Sequence, residues 1–383
     1  MIPFGGASAN GATAEPGIRP QEPIGFASVR DGGAVGPLAT AHPSRSFEDQ
    51  LVPAPDSPSE IAVSSAHIPF SFELFPPRSA AAAHTLWDTI QQLAAVGPEF
   101  MSVTYGANGS SRESSLEVLR YILDETSVHP LAHLTCVGSS HFEANRLVRE
   151  FLDAGITSFL ALRGDPPRGA VESDHFLGDL GSASELVQLI HRVQTERAQY
   201  ATLPSRSASG GGAIPSSRQK VRVAVAAFPN GHPRSKRSNQ DVDTLLAKQV
   251  SGATIAITQL FFHAEDYLGF LEAANAAGVT IPILPGLMPA TTPARLERIL
   301  ELTGERRPEE LSRRLHASES SHEQVAIGVE HAVSLSLEIL AGGAPGLHLY
   351  TFNQHRAALS VLDGVGLIAG PTSPESSNLK ESV

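Results

Sequence analysis

The sequence predicts a (β/α)8 barrel, in which eight parallel strands close into a cylinder and helices cover its outside. Eight short apolar runs alternate with longer segments whose apolar residues recur at helical spacing, the pattern of a parallel sheet joined by crossover helices. These units fill about 300 residues, the size expected of such a barrel. No GxGxxG motif follows the first run, which argues against the alternative, an open dinucleotide-binding sheet.

The first strand is predicted at 68–75, because aromatic residues favour the pleated surface and Pro76-Pro77 cannot continue a ladder. Period two places Glu73 and Ser71 on one face of this strand and the large apolar residues on the other. A carboxylate in apolar surroundings is usually exposed, paired or functional. The remaining strands are expected at 99–106, 131–137, 158–165, 221–228, 254–262, 282–287 and 346–352.

A helical pattern follows each of the first seven strands, and several of these patterns begin at Ser, Thr, Asn or Asp and end at Gly, as helix caps require. The eighth strand instead follows a helix predicted in EQVAIGVEHAVSLSLEILAGG, and at most a short tail helix is expected after it. Residues 1–66 and 371–383, poor in sustained periodicity, are predicted to be disordered tails. The barrel domain is expected at 67–370, with a flexible Ser/Gly-rich insertion at about 199–220.

Composition favours a cytoplasmic protein that acts on small molecules. Lys and Arg number 28 against 40 Asp and Glu, giving a net charge of −12 without a basic cluster, so nucleic acid and anionic membranes are not expected partners. The single cysteine excludes an intramolecular disulfide, and no apolar run approaches the roughly 20 residues of a membrane span. HExxH, P-loop and GxSxG motifs are missing from the sequence, which makes an organic cofactor the simplest source of reactivity and leaves no metal site expected.

Polar residues collect where the predicted strands end, and the carboxyl ends of barrel strands are where such enzymes carry their active sites. Each residue alone has a structural explanation: His133 as a core histidine, Asp165 as a helix cap, Lys248 as a solvated helix residue. Their convergence on one rim predicts an active site. Glu73, at an apolar barrel mouth, is expected to have a raised pKa and to act as a general acid. The other strand-end residues are Thr104, Tyr105, Thr135, Arg163, His232, Gln259, Pro285, Gly286, Tyr350 and Asn353.

Eight collinear motifs resemble the catalytic barrel of the methylenetetrahydrofolate reductase family in its bacterial type. They run in order from about residue 67 to 360 and cover every predicted strand, which makes the resemblance specific. The motifs are FSFELFPPR, SVTYGANGSSRE, AHLTCVG, ALRGDPP, VAAFPNGHPRS, ITQLFFHAEDYLGFLEAANAAGV, PILPGLMP and GLHLYTFNQ.

The resemblance implies a flavoprotein oxidoreductase acting on CH–NH donors. NADH or NADPH would reduce bound FAD, leave, and be replaced by 5,10-methylenetetrahydrofolate, which becomes 5-methyltetrahydrofolate for methionine synthesis by a ping-pong mechanism. NADH is expected over NADPH, by analogy with bacterial members. We expect no regulation by S-adenosylmethionine. We expect the protein to form a homo-oligomer.

The same resemblance implies the site residues. Glu73 would help to protonate N10 of the folate so that its five-membered ring opens, Asp165 would lie by the flavin and hold the pterin, and Gln259 would bind folate and nicotinamide in turn. These three are the expected catalytic and substrate-binding residues. The expected FAD contacts are Thr104, Tyr105, Ala107, His133, Arg163, Gly164, Asp165, Phe228, His232, Asp241 and Lys248.

Four positions depart from the family pattern. Phe228 replaces a usual tyrosine, so stacking on the cofactor is expected without a hydrogen bond. Ser182 replaces an aromatic at another flavin contact, and Ile299 falls where some members stack an aromatic on the nicotinamide. Gln354 stands where an arginine is usual, which weakens the expected contact with the glutamate tail of the folate.

Two other functions remain open on the sequence alone. A barrel that binds flavin and folate but has lost turnover would serve as a binding subunit, and the substituted contacts motivate this alternative. A folate-handling methyltransferase barrel would need no flavin. The colour of the purified protein, and its bleaching by a reduced nicotinamide nucleotide, discriminate among the three.

Overall fold

A computed structural model describes residues 68–105, 112–135, 138–164, 178–201, 220–232, 235, 237 and 239–368. Eight strands close into a barrel in chain order, and every neighbouring pair is parallel, including the first and the last. The predicted (β/α)8 barrel is therefore confirmed. The predicted tails and nearly all of the predicted insertion lie outside the described residues.

Each of the eight predicted runs overlaps one strand. Most strands end before the apolar run does, because ladder pairing stops where the chain turns into the rim loops, whereas the third begins earlier than predicted. The strands are β1 Phe70–Leu74, β2 Phe100–Val103, β3 His129–Thr135, β4 Ser158–Leu162, β5 Arg222–Ala227, β6 Ile255–Leu260, β7 Ile283–Leu287 and β8 Leu347–Tyr350.

The helices follow the predicted alternation with two differences, both in the last part of the barrel sequence. A separate helix, α8, stands between the seventh helix and the long one before β8, and the helix after β8 has 11 residues instead of being a short tail. That last helix forms because it buries Ala358, Val361 and Leu362 against its neighbours. The helices are α1 Ala80–Ala94, α2 Arg112–Glu125, α3 His141–Asp153, α4 Ala183–Ala201, α5 Gln240–Val250, α6 Ala264–Ala276, α7 Pro293–Thr303, α8 Glu309–Ala317, α9 Ser321–Ala341 and α10 His355–Val365.

Helix boundaries follow local chemistry. The Ser140 hydroxyl accepts from the Glu143 N–H while the Glu143 carboxylate accepts from the Ser140 N–H, a capping box that begins α3. Thr292 caps α7 in front of Pro293, whose fixed φ suits the first helical turn. Gly304 ends α7 at φ 71°, a left-handed conformation that glycine adopts without strain.

The core has an outer layer between strands and helices and an inner layer inside the barrel. The inner layer below the mouth is apolar and includes Leu131, Leu160 and Ile257. Ser71 and Glu73 face this interior, while Phe70, Phe72 and Leu74 pack outward against the helices, as period two predicted. One sector of the interior is therefore polar in an otherwise apolar barrel.

Helix α9 is long and apolar enough, by length and composition, to cross a bilayer, and it is the one such helix among the described residues. Its residues Ile327, Leu335 and Ile339 are buried in the folded barrel, and α9 packs against α6, α8 and α10. A core helix of a folded domain meets the same criteria, so this feature is weak support for a membrane span.

Candidate active site

Glu73 lies at the centre of a polar cluster inside the barrel. Its Oε2 atom is 3.5 Å from Nε2 of His133 on β3 and 3.8 Å from Nε2 of His348 on β8. The Glu73 side chain is 12% exposed, and the two histidines are 1% and 0% exposed. Because β1 and β3 are not neighbours in the sheet, the contact between Glu73 and His133 crosses the barrel interior. The Glu73 carboxylate thus lies inside the barrel and faces its mouth.

His348 continues the cluster away from the mouth. It lies opposite Ser71 in the β1–β8 ladder, and its Nδ1 atom is 2.8 Å from the Ser71 hydroxyl. The Phe100 ring stacks on the imidazole at 5.8 Å between centroids. No sequence motif singled out His348, although its place two residues before Tyr350 on an inward-facing strand was a usable signal.

The ionisation of Glu73 differs from the prediction. Burial raises the pKa of its carboxyl, but the contact with His348 and the charges of His133 and His348 together outweigh burial and bring the pKa below its ordinary value. The predicted raised pKa is therefore wrong for the protein without ligands, because the two histidines were left out of that reasoning. Burial lowers the pKa of His133 to about 4, against the opposing charge of Glu73, so this imidazole is neutral at pH 7.

Side chains at the end of β8 fix the backbone around Glu73. The Thr351 hydroxyl donates to the Glu73 carbonyl at 2.8 Å. The Asn353 amide donates to the Phe75 carbonyl at 2.8 Å and accepts from the Phe75 N–H at 3.0 Å. Asn353 and the preceding Phe352 have φ values of 57° and 52°, which non-glycine residues rarely adopt. The paired amide holds this strained turn, and β1 with it, in one position.

Tyr350 closes the floor of the mouth on the β6–β7 side. Its hydroxyl donates to the Thr258 carbonyl at 2.8 Å. Gly286 makes room for the ring, since a Cβ atom at this residue would lie 2.6 Å from Tyr350 Cε2 and 2.4 Å from the Thr258 oxygen. Gln259 lies nearby on β6, 9% exposed, with its Oε1 accepting from the Leu260 N–H at 3.1 Å. Among the described residues its NH2 group has no hydrogen-bond acceptor, which leaves it for a ligand.

A second group of predicted residues surrounds a cavity of about 490 Å³ after β5. The Phe228 and His232 rings meet edge to face at 4.8 Å. The Asp241 carboxylate accepts from the His232 N–H at 3.1 Å and from the Ser235 hydroxyl at 2.9 Å, which ties the loop to the start of α5. The cavity is lined by Phe228, Pro229, Asn230, Gly231, His232, Ser235, Arg237, Asp241, Val242 and Phe270.

Lys248 is buried, contrary to its reading as a solvated helix residue. Its ammonium donates to the Ala226 carbonyl at 2.7 Å and lies 6.0 Å from the centroid of Phe228. Burial lowers the pKa of Lys248 to about 8, with the charge of Asp241 opposing and that of Arg163 adding to the shift. The Asp241 carboxylate and the Arg163 guanidinium thus act on the pKa of this buried ammonium in opposite directions.

The other predicted residues take their expected strand ends. Thr104 and Tyr105 follow β2, and the Tyr105 ring packs edge to face on Phe151 at 6.5 Å. Arg163 and Gly164 follow β4, with Gly164 at φ 86°. Ala107 and Asp165 lie outside the described residues.

The other three departures from the family pattern have distinct surroundings. Ile299 is 2% exposed in an apolar cluster, and the Ser182 hydroxyl accepts from the Glu185 N–H at 3.3 Å in the manner of a helix cap. Gln354 lies beside a residue that no motif singled out, Arg295 of α7, whose guanidinium contacts the Gln354 amide oxygen at 3.4 Å.

Arg295 is a half-buried cation at the rim. Its Nη1 donates to the Thr291 hydroxyl at 2.9 Å, and its guanidinium carbon lies 5.3 Å from the centroid of Phe352. No carboxylate of the described residues pairs with it, and burial lowers the pKa of the guanidinium from its ordinary value. An unpaired, partly desolvated guanidinium favours a carboxylate or phosphate ligand.

Comparisons of the sequence with a family model and with curated proteins agree in one family. The sequence profile described as methylenetetrahydrofolate reductase matches residues 59–366. The 5,10-methylenetetrahydrofolate reductase of Escherichia coli K12 is 29% identical over 311 residues, covering 81% of this chain and 95% of its own. That of Buchnera aphidicola is 30% identical, covering 79% and 93%. The probable methylenetetrahydrofolate reductase (NADH) of Oryza sativa is 30% identical, covering 78% of this chain and 48% of its own length.

Proposed function

Because the chain belongs to the methylenetetrahydrofolate reductase family, we propose that it reduces 5,10-methylenetetrahydrofolate to 5-methyltetrahydrofolate with FAD and a reduced nicotinamide nucleotide. The family supports the overall reduction. The observation that carries the proposal to this chain is the position of Glu73, a nearly buried carboxylate at the mouth of the barrel between two buried histidines. A proton donor in such a place serves a reaction that must protonate its substrate away from water.

The described residues fit a flavin dinucleotide. Both ring nitrogens of His133 are buried and, among the described residues, have no hydrogen-bond partner, which indicates a polar ligand at the mouth. Lys248 and Arg163 are the cations proposed to face the diphosphate, and the cavity beside Phe228 has room for part of the cofactor. When bound, FAD supplies the two-electron carrier between nucleotide and folate. Phe228 would pack against the cofactor without the hydroxyl of a tyrosine.

We propose that Glu73 delivers a proton to N10 of the folate, which opens the five-membered ring to an iminium that can accept hydride. The carboxyl is 12% exposed before a ligand arrives. A folate seated over the mouth completes its desolvation, and desolvation favours the protonated form. The lowered pKa of the ligand-free state and the acid role are thus compatible.

Gln259 is proposed to donate its NH2 group, which has no acceptor among the described residues, to the nicotinamide and to the folate in turn. One mouth serving two substrates requires the first to leave before the second binds, which gives ping-pong kinetics. Asp165 remains the proposed partner of the pterin and of the flavin. The preference for NADH, the cytoplasmic location, the homo-oligomer and the supply of methyl groups for methionine synthesis are further parts of this proposal.

Arg295 is proposed to replace the arginine that the family usually has at the position of Gln354. Its guanidinium lies against Gln354 at the same rim and is not neutralised by a carboxylate of the described residues. The glutamate tail of the folate ends in carboxylates, which a guanidinium binds through two parallel hydrogen bonds. The contact thought to be weakened by Gln354 is therefore restored from α7.

An anaerobic absorbance titration tests the proposal. The purified protein is expected to show a flavin band at about 450 nm, a property of flavins in general. The band should bleach on addition of NADH or NADPH and return on addition of methylenetetrahydrofolate. Bleaching without return would favour the flavin-binding subunit, and a colourless protein that binds folate would favour the methyltransferase.

A further inference from the structure

We propose that Thr258 and Tyr350 are positioning residues that fix the side-chain amide of Gln259 as a hydrogen-bond donor for ligands at the mouth of the barrel. The inference rests on the proposed function, in which Gln259 binds the nicotinamide and the folate in turn. In this role both residues act on the ligands through the backbone of β6 and the Gln259 side chain.

Strand β6 carries one extra residue opposite β7, at the place where Gln259 stands. Ile257 pairs with Leu284 and Leu260 pairs with Gly286, so β6 advances three residues while β7 advances two. An extra residue of this kind is a β-bulge, which interrupts ladder pairing and re-aims a side chain, and bulges are enriched next to active sites. The orientation of Gln259 therefore depends on contacts other than the ladder between β6 and β7.

The Thr258 side chain takes the place of a ladder bond in this bulge. Its hydroxyl accepts from the Gly286 N–H at 2.8 Å. Thr258 is 0% exposed, and every residue of β7 is buried. The hydroxyl thus joins β6 to β7 as a backbone carbonyl would in a regular parallel ladder. A valine, which has a methyl group in place of the hydroxyl, would leave the buried Gly286 N–H without this acceptor.

Tyr350 holds the backbone of the same residue. Its hydroxyl donates to the Thr258 carbonyl at 2.8 Å, between residues that are 92 positions apart in the chain. That carbonyl belongs to the peptide group between Thr258 and Gln259, which is planar. The bond from Tyr350 therefore fixes the plane from which the Gln259 side chain departs, while the Thr258 hydroxyl fixes the distance of this plane from β7.

The Gln259 amide has one orientation in the bulge. Its Oε1 atom accepts from the Leu260 N–H at 3.1 Å. A backbone N–H can only donate, so the amide atom that faces it is the oxygen, and the NH2 group is on the other side of the amide. Among the described residues this NH2 group has no acceptor.

This orientation predicts which ligand groups Gln259 selects. Because the amide oxygen is engaged by the Leu260 N–H, the amide presents donors to a ligand and favours an acceptor over an N–H group. The carboxamide of a nicotinamide and the carbonyl of a pterin both offer an acceptor. One fixed donor can therefore serve both ligands in turn without rotation of the amide.

The test compares Thr258→Val with Thr258→Ser, which keeps the hydroxyl, and with the matched control Thr254→Val. Thr254 makes a similar bond just before the amino end of β6, where its hydroxyl accepts from the Val223 N–H at 3.2 Å. Stopped-flow bleaching by NADH and reoxidation by methylenetetrahydrofolate give a Kd and a limiting rate for each substrate. In Thr258→Val both Kd values should rise by about twofold to tenfold, the range of one neutral hydrogen bond, with limiting rates within about twofold of wild type. Thr258→Ser should restore both Kd values, and Thr254→Val should not change them.

Tyr350→Phe removes the second contact and keeps the test decisive if Thr258→Val does not fold. It should raise both Kd values by a similar factor. In a Gln259→Ala background, Thr258→Val should have no further effect on either Kd, because the side chain through which it acts is gone. An effect that adds in full to that of Gln259→Ala, or a rise of equal size in Thr254→Val, would overturn the inference. So would unchanged Kd values in both Thr258→Val and Tyr350→Phe when Gln259→Ala raises them.

Nitrogen NMR of glutamine-labelled protein gives a readout that does not depend on turnover. The NH2 signals of Gln259 are those missing from Gln259→Ala. They should move in Thr258→Val and Tyr350→Phe and stay in place in Thr254→Val. Signals that stay in place in the first two variants refute the inference even in an active reductase. Signals that move, in a protein whose Gln259→Ala variant binds both substrates like wild type, support the positioning and refute the proposed role of Gln259 in binding.

Discussion

Replacing Glu73 with glutamine is expected to abolish reoxidation of the flavin by folate and to spare its reduction by NADH. The amide is the same size as the carboxyl, and its NH2 can donate to the unpaired Nε2 of neutral His133, now 3.5 Å from the carboxylate. The variant should therefore fold. It has no acidic hydrogen, and a side chain only 12% exposed leaves water little access to substitute for it.

The expected loss in the rate of flavin reoxidation follows from the proposed role of Glu73 as a general acid. General acid catalysis contributes about 100- to 10,000-fold, equivalent to about 3–5.5 kcal/mol of barrier, and the exclusion of water places Glu73→Gln toward the upper end. The assay is stopped-flow absorbance of each half-reaction, at a flavin content matched to wild type. Glu265→Gln is a suitable control, because that carboxylate is 67% exposed on α6 and pairs with Arg306.

Two outcomes would refute the reasoning. Equal loss in both half-reactions would mean that Glu73 holds the flavin or the shape of the mouth instead of supplying a proton. Reoxidation within about threefold of wild type would place the proton donor elsewhere, since a general acid is worth at least about 100-fold.

Lys248→Met should weaken FAD binding by about tenfold or more, because a hydrogen bond to a charged group contributes that much. In wild type, the affinity for FAD should fall as pH rises through about 8, where the Lys248 ammonium deprotonates. Fluorescence titration measures both effects, and an affinity that does not change with pH would contradict the assignment. Arg295→Gln should raise KM for a polyglutamylated folate several-fold at unchanged kcat, while leaving KM for NADH as it is. Equal effects on both substrates would exclude a role of Arg295 in binding the glutamate tail of the folate. Gly286→Ala should destabilise the fold by about 1–3 kcal/mol, because its Cβ would lie 2.4 Å from the Thr258 oxygen and 2.6 Å from Tyr350; an unchanged midpoint of urea unfolding would show that β7 moves freely.

Periodicity carried most of the fold prediction. Each strand is a short apolar run between helical patterns, and these local signals do not depend on distant residues, so all eight strands were found. The fold prediction failed where an element depends on contacts with residues that are distant in the sequence. The helix α10 is held by burial of Val361 and Leu362 in the outer layer, which a weak pattern after the last strand did not reveal.

The candidate site shows the same limit more sharply. Glu73 and Gln259 could be chosen because they stand at strand ends, where barrels carry their chemistry. The partners of Glu73 could not be predicted in this way, because the contact with His348 exists only when the last strand pairs with the first. The direction of the Glu73 pKa shift depends on those partners, and burial inferred from one strand gave the wrong sign. Lys248 was misread for a related reason: its burial comes from β5, not from its own helix.

The closure of the barrel at β1 and β8 also has a consequence for biosynthesis. Glu73, the proposed proton donor, is on β1, the first of the eight barrel strands to be synthesised. His348, Thr351 and Asn353, which contact its side chain or hold its backbone, are synthesised with the last barrel strand or just after it; Ser71 and His348 are 277 residues apart. Contacts of such sequence separation form late in folding. A nascent chain that stops before Leu347 carries Glu73 but none of these three partners. An abortive translation product that lacks β8 is therefore expected to lack the arrangement of Glu73 that the proposed reaction needs.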